Sequence, residues 1–318
     1  MMKNRLIGAV ILLLFVSQLV PGKTYRVKKV GEYPLFIALG PDGRTGYVTS
    51  YGTGELIAVD LSQHLVTQRV TVGDSPVGVA LADSGKTAFV ACKESSAVVV
   101  VDLTNFRIDA NIRVGGSPYA VAVGPKGYRA FATNFGRSRE GHLNIIDVRD
   151  RNVVATVKMG ISPIAVAVSP IAEMVYVVNG GSNEVWVVDP ERQSVISKIP
   201  VGDAPDGIAI TPDGKRAFVS NSRSNDVSVI DTQLNKVLVT IPVGKKPFGV
   251  AVSPDGKRVY VVNTESRNVS ILAADLSSLE ARTLEVEKGP VDVKVAPDNR
   301  TVVVVNELSH SLVVIEVP

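Results

Sequence analysis

Val201-Gly202-Asp203-Ala204-Pro205-Asp206-Gly207-Ile208-Ala209-Ile210 leads into Thr211-Pro212-Asp213-Gly214-Lys215 and then Arg216-Ala217-Phe218-Val219-Ser220-Asn221. Ser222-Arg223-Ser224-Asn225 separates this from Asp226-Val227-Ser228-Val229-Ile230-Asp231, and a further turn leads to Lys236-Val237-Leu238-Val239-Thr240-Ile241-Pro242. Each apolar piece is short, rich in β-branched residues and bounded by turn residues, so the stretch predicts four strands. In Pro212-Asp213-Gly214, proline presets φ, Asp caps the turn and Gly accepts φ > 0. The same turn recurs at Asp42-Gly43 and Asp255-Gly256, whereas Ile171-Ala172 replaces it once and predicts a turn built differently.

The unit repeats along the chain. The proline after its opening turn recurs as Pro34, Pro76, Pro118, Pro163, Pro205, Pro247 and Pro290, at intervals of 42, 42, 45, 42, 42 and 43 residues. Four strands per such period, seven times over, predict an all-β, seven-bladed propeller of four-stranded antiparallel blades. Amphipathic 3.6-residue periods, which a helical solenoid needs, are lacking outside the first 22 residues. The second residue after each proline is mostly Gly or Ala and the fourth is Ala38, Ala80, Ala122, Ala167, Ala209 and Ala251, as expected of innermost strands crowded at an axis. An aromatic recurs in the second strand (Tyr47, Phe89, Phe131, Tyr176, Phe218, Tyr260, with Val303 in the seventh unit) and is expected to pack between blades, as is the single tryptophan, Trp186.

The seventh unit has room for three strands before Pro318. Thr24 to Val30 has strand character and is expected to supply the fourth by pairing with Leu312 to Val317, closing the ring and leaving no open edge at the seam.

Residues 1–22 read separately from the propeller, which spans 23–318. Lys3 and Arg5 precede an apolar run from Leu6 to Val20, too short to span a bilayer comfortably and suited to a secretory signal, with an uncleaved anchor as the alternative. The expected location is therefore extracytoplasmic: periplasmic, secreted or cell-surface. Cys92 is the only cysteine, which excludes an internal disulfide, a c-type haem attachment and a thiolate zinc site. The net charge of +3, with Lys and Arg spread evenly, gives no reason to expect a nucleic-acid partner, and none at the membrane after cleavage.

Val252-Ser253-Pro254-Asp255-Gly256-Lys257-Arg258-Val259-Tyr260-Val261-Val262-Asn263 resembles the signature of the YVTN-type β-propeller repeat, as does Pro212 to Asn221; Tyr176-Val177-Val178-Asn179 carries the name-giving tetrapeptide with one change. The resemblance covers residues 31–318. It implies the fold, and it places the chain beside surface-layer or exported binding proteins and, more distantly, lactonase-type propellers and quinoprotein dehydrogenase subunits. No activity follows from the repeat itself.

The repeated Asn134, Asn179, Asn221, Asn263 and Asn306 end second strands and are read as structural, bonding the turning backbone; Asp60, Asp102, Asp147, Asp189 and Asp231 are read as turn caps. Candidate function is sought where units depart from the pattern. The longest unit owes its length to Phe135 to His142: Arg137 and Arg139 could hold an anion bidentately and Glu140 and His142 could act as acid and base, or the segment is a solvated loop with His142 capping the next strand. Phe36, Asp292 and Lys294 replace small residues where the last and first blades meet; Asp292 and Lys294 point the same way and form either a channel-lining ion pair or a repair of the seam. Tyr119, Asp206 and Phe248 vary at the channel mouth.

With three histidines, His64, His142 and His310, and no recognisable hydrolase, metalloprotease or nucleotide-binding motif, no catalytic residues and no cofactor are assigned. The expected function is an exported, non-catalytic binding or scaffold protein of the envelope, whose loops on one face take a protein, glycan or small ligand. The alternatives are a lactonase-like or lyase-like enzyme and an accessory subunit of a periplasmic dehydrogenase.

Overall fold

A computed structural model describes residues 22–135 and 140–317. It contains 28 strands among the described residues, arranged as seven four-stranded sheets. β2 (Pro34–Leu39), β3 (Thr45–Ser50), β4 (Glu55–Asp60) and β5 (Leu65–Thr71) form blade 1, and the pattern repeats to β22 (Pro247–Val252), β23 (Arg258–Asn263), β24 (Asn268–Ala273) and β25 (Arg282–Glu285) in blade 6. Blade 7 combines β26 (Pro290–Val295), β27 (Thr301–Asn306) and β28 (Ser311–Glu316) with β1 (Thr24–Lys28) on its outside. β1 runs antiparallel to β28, from Thr24 opposite Ile315 to Lys28 opposite Ser311. Seven blades and closure by the N-terminal strand are as the repeat arithmetic requires.

The core follows from strand alternation. Seven apolar clusters lie in the described residues, one at each contact between neighbouring blades. Phe131 of blade 3 packs on Val175 and Val177 of blade 4, and Tyr260 of blade 6 on Val302 and Val304 of blade 7. The recurring second-strand aromatics thus fill the space between blades. Trp186 packs against the cluster between blades 3 and 4; its indole N–H donates to Glu184 at 2.7 Å, and Lys198 Nζ lies 3.8 Å from its ring centroid. Val27 and Val30, from the N-terminal segment, are buried in the cluster joining blades 7 and 1.

Close approach at the axis explains the small residues after each proline. A Cβ at Gly207 would sit 2.4 Å from the Phe248 carbonyl oxygen of the next blade, and one at Gly78 would sit 2.8 Å from Ala120 Cα. Each innermost strand also carries a register irregularity just after its proline. In three blades a second-strand hydroxyl accepts the N–H this strands: Thr49 from Phe36 at 3.2 Å, Thr133 from Ala120 at 3.0 Å and Ser220 from Gly207 at 3.0 Å. Thr49 in turn donates to the Val77 carbonyl of blade 2 at 2.6 Å, tying neighbouring blades together.

The polar repeats are structural in the way their positions suggested, with one difference. Asp60 accepts the N–H groups of Ser62 and Gln63, and Asp231 those of Gln233 and Leu234. The buried asparagines reach further than their own turns. Asn179 accepts the Gly160 N–H at 2.9 Å from the preceding loop, while the Asn221 amide donates to Asp226 and Ser228 of the adjoining strand, because the loop that enters the blade and its third strand both close over this position. The Ile171-Ala172 turn is indeed different: Glu173 takes φ 55°, and the Ser169 hydroxyl accepts the Ala172 N–H.

Candidate functional site

The loops entering each innermost strand and those joining second and third strands meet on one face. Backbone bonds such as Tyr51 N–H to Tyr33 O (3.1 Å) and Thr264 N–H to Lys246 O (2.9 Å) link them. At the centre of that face lies a cup of about 480 Å³, lined by Tyr33, Leu35, Phe36, Tyr51, Val77, Lys93, Tyr119, Lys246, Phe248, Thr264, Val291 and Glu307.

Its floor is aromatic. Phe36 replaces the small residue of blade 1 and lies between rings from the far side of the opening. Its centroid is 6.3 Å from Tyr119 of blade 3, edge-on, and 6.4 Å from Phe248 of blade 6. Beneath this constriction is a second chamber of about 350 Å³, walled by the innermost strands. Phe36 and Phe248 line both spaces, so these rings divide the axial channel.

Charge gathers in the cup, at Lys93, Lys246 and Glu307, and in the chamber beneath it, at Asp206, Asp292 and Lys294. Burial disfavours ionisation of Asp206 and raises its pKa, with a hydrogen bond from Ser222 and the nearby Lys246 acting against the rise. Burial also raises Glu307, opposed by Lys246 and His310. The Tyr119 phenol is pushed up to about 12 by burial and by the neighbouring Asp206, Glu307 and Tyr51. Lys93 stands across the cup, 3.7 Å from Glu94.

In the lower chamber Asp292 is 2% exposed and Lys294 half-buried. Lys294 Nζ lies 2.8 and 2.9 Å from the two Asp292 oxygens, and Oδ2 also accepts the Ile37 N–H of blade 1 at 3.0 Å. The pair therefore both lines the channel and fastens blade 7 to blade 1.

The structure thus brings Phe36, Tyr119 and Phe248 together at the cup, while Asp206 lines the chamber below with Asp292 and Lys294. Glu140 and His142 are elsewhere. Both belong to β12 (Glu140–Asp147), so His142 is a strand residue and not a cap preceding one; the strand begins earlier because Glu140 already pairs with Ile161. Glu140 is exposed and forms an ion pair with Lys158 of the outer strand at 3.2 Å. Arg137 and Arg139 lie outside the described residues.

Sequence reasoning missed Tyr51, Lys93, Thr264 and Glu307, each the first residue after the polar position that ends a second strand, and Tyr33 and Lys246, each the residue before the repeat proline. Side-by-side comparison of those two positions among units would have shown the variability that marks them.

A wider groove of about 860 Å³ crosses the same face at the seam, lined by Arg26, Lys28, Arg69, Glu287 and His310 among others. Its arginines are engaged, Arg26 with Glu287 and Arg69 with Glu55. Cys92 is buried, and burial pushes its thiol up to about 12, which leaves it inert. Among the described residues no group of three or more His, Cys, Asp or Glu is placed to hold a metal ion.

These features define a seven-bladed β-propeller with a closed axial cup on its loop face. The chain belongs to the YNCE-like β-propeller family, whose model matches residues 83–258. No curated protein matches it. Among solved structures it is similar to a chain of Kuenenia stuttgartiensis hydrazine synthase, with 23% identity and a TM-score of 0.82 over 91% of this chain and 97% of that one. The likeness is one of fold.

Proposed function

We propose that this protein is an exported, non-catalytic binding module that receives a small ligand, or a side chain of a larger envelope partner, in the axial cup. The observation that carries the reading is the constriction formed by Phe36, Tyr119 and Phe248. It turns a channel into a blind cup with an apolar floor and a charged rim, the combination that buries a ligand body while fixing its polar end. The seven-bladed frame holds these side chains on strands and short loops, so little order is lost on binding. Export rests on the basic, apolar character of residues 1–22; amino-terminal sequencing of the protein recovered from its host is expected to begin near Lys23.

Ligand-observed NMR against a fragment set containing cations, anions and neutral aromatics tests the site. Fragments that bind are expected to lose their signal in a folded Phe248→Ala variant. Hits unaffected by Phe248→Ala and by Tyr119→Ala would place binding elsewhere and refute the proposal.

A further inference from the structure

His310 stands where two other blades place an asparagine. It follows Asn306, the end of the second strand of blade 7, at the distance by which Asn183 follows Asn179 in blade 4 and Asn225 follows Asn221 in blade 5. Asn183, Asn225 and His310 all take left-handed backbone, with φ of 55°, 60° and 51°. Each reaches into the next blade to accept the N–H of the residue before its repeat proline. Asn183 Oδ1 accepts from Ala204 and Asn225 Oδ1 from Lys246, both at 2.9 Å. His310 Nδ1 accepts from Tyr33 at 3.1 Å, across the seam between blades 7 and 1. Tyr33 is itself left-handed, at φ 50°, which a bulky residue adopts reluctantly, and its ring meets the imidazole edge-on at 5.2 Å. An amide oxygen accepts at any pH in this range. An imidazole nitrogen accepts only while unprotonated, so the bond to Tyr33 places the neutral ring's proton on Nε2.

We propose that His310 is a pH-sensitive latch on Tyr33, holding the partition between the axial cup and the seam groove while it is neutral and releasing it when it takes a proton. Tyr33 lines both spaces, about 480 Å³ on one side and about 860 Å³ on the other. Protonation turns Nδ1 from acceptor into donor, which sets two N–H groups against each other and leaves the Tyr33 amide without its bond. The bond lies at the surface, so a proton reaches it without unfolding. The charged groups facing the ring are of both signs. Glu307, on the same loop, lies within electrostatic reach. In the groove Arg26 is paired with Glu287 and Arg69 with Glu55, which leaves Lys28 and Lys29 against Glu32. The latch belongs to the fold and does not require that the cup be the binding site.

Amide NMR of the isotope-labelled protein between about pH 8 and about pH 5 provides the test. Imidazole spectra at the upper end are expected to show His310 with its proton on Nε2. As pH falls, the Tyr33 amide proton is expected to move upfield, the shift of a lost hydrogen bond, with the midpoint at which the His310 ring titrates. The Ala204 and Lys246 amides, bonded to asparagines, are expected to stay in place. His310→Asn installs the residue the other blades use, and is expected to fold and to abolish the movement of Tyr33. A His310 proton on Nδ1 at the upper pH overturns the latch. So does a Tyr33 amide that stays still while the ring titrates, or one that moves equally in folded His310→Asn protein. The comparison of the three amides in the native protein decides the matter even where the variant does not fold.

Discussion

Replacing Lys294 by Met isolates the ion pair at the seam. In the native protein the Asp292 side chain is 3% exposed and its oxygens are shared between Lys294 Nζ and the Ile37 N–H. Lys294→Met leaves a buried carboxylate with a single neutral donor. Removing one partner of a buried pair costs about 3–5 kcal/mol; the Lys294 side chain is 37% exposed, so water softens the loss and the expected figure is about 3 kcal/mol. For a domain of this size each kcal/mol moves Tm by roughly 1.5 °C, which gives a fall of roughly 4–5 °C. The double variant Asp292→Asn/Lys294→Met removes both charges and keeps an amide oxygen for Ile37, so it is expected within about 1 kcal/mol of the native protein. Asp292→Ala strands the Ile37 N–H but frees Lys294 to turn into the chamber, and should fall between them. Calorimetry and denaturant titration of the four proteins measure this order. If Lys294→Met melts with the native protein, or the neutral double variant is as weak as Lys294→Met, the pair is not what fastens the seam.

Three further outcomes follow from the geometry. Gly207→Ala forces a Cβ to 2.4 Å from the Phe248 carbonyl oxygen, so blades 5 and 6 must part at the axis; a loss of about 1–3 kcal/mol is expected in denaturant titration, whereas Ala209→Gly, one pleat further along the strand, should cost only about 1 kcal/mol. Deleting residues 23–31 removes the β1 ladder and the buried Val27 and Val30, and is expected to lower the melting temperature by many degrees; an unchanged midpoint would refute the closure. Asp213 and Asp255 are held below the ordinary carboxylate range, foremost by the hydroxyls of Thr211 and Ser253, so their contribution is present above the unfolded value near 4 and disappears as pH falls through the folded one. Asp213→Asn/Asp255→Asn should be less stable than native at pH 7, with the gap closing at pH 2; a constant gap would show that charge is not the cause.

Blade number, closure and the scaffold role of the repeated Asn and Asp were legible because each is imposed by the repeat itself. Seven prolines count blades directly, and a last unit lacking one strand can close only with a strand from elsewhere. Departures from the pattern were equally visible where the pattern is strict: Phe36 stands out among Gly and Ala, and Asp292 and Lys294 stand out for the same reason. Lys93, Lys246, Thr264 and Glu307 did not, because they occupy loop positions where every unit differs and where solvated polar residues are ordinary. Their significance comes from the ring: residues from blades 2, 5, 6 and 7, remote in sequence, converge only when the circle is complete. Glu140 and His142 show the converse. A longer loop drew attention to them, but Glu140 pairs outward with Lys158, away from the axis.

The pairing of β1 with β28 also sets an order of assembly. β1 finds its strand partners, Ser311 to Ile315, only across the whole length of the ring, so this ladder costs the most chain entropy to close. Blades 1 to 6 each draw their strands from one continuous stretch of chain and can form from nearby contacts first. Until the seam closes, β1 stays unmatched, exposed to mispairing with a neighbouring molecule. Any factor that shelters the folding protein would be needed most at this one joint.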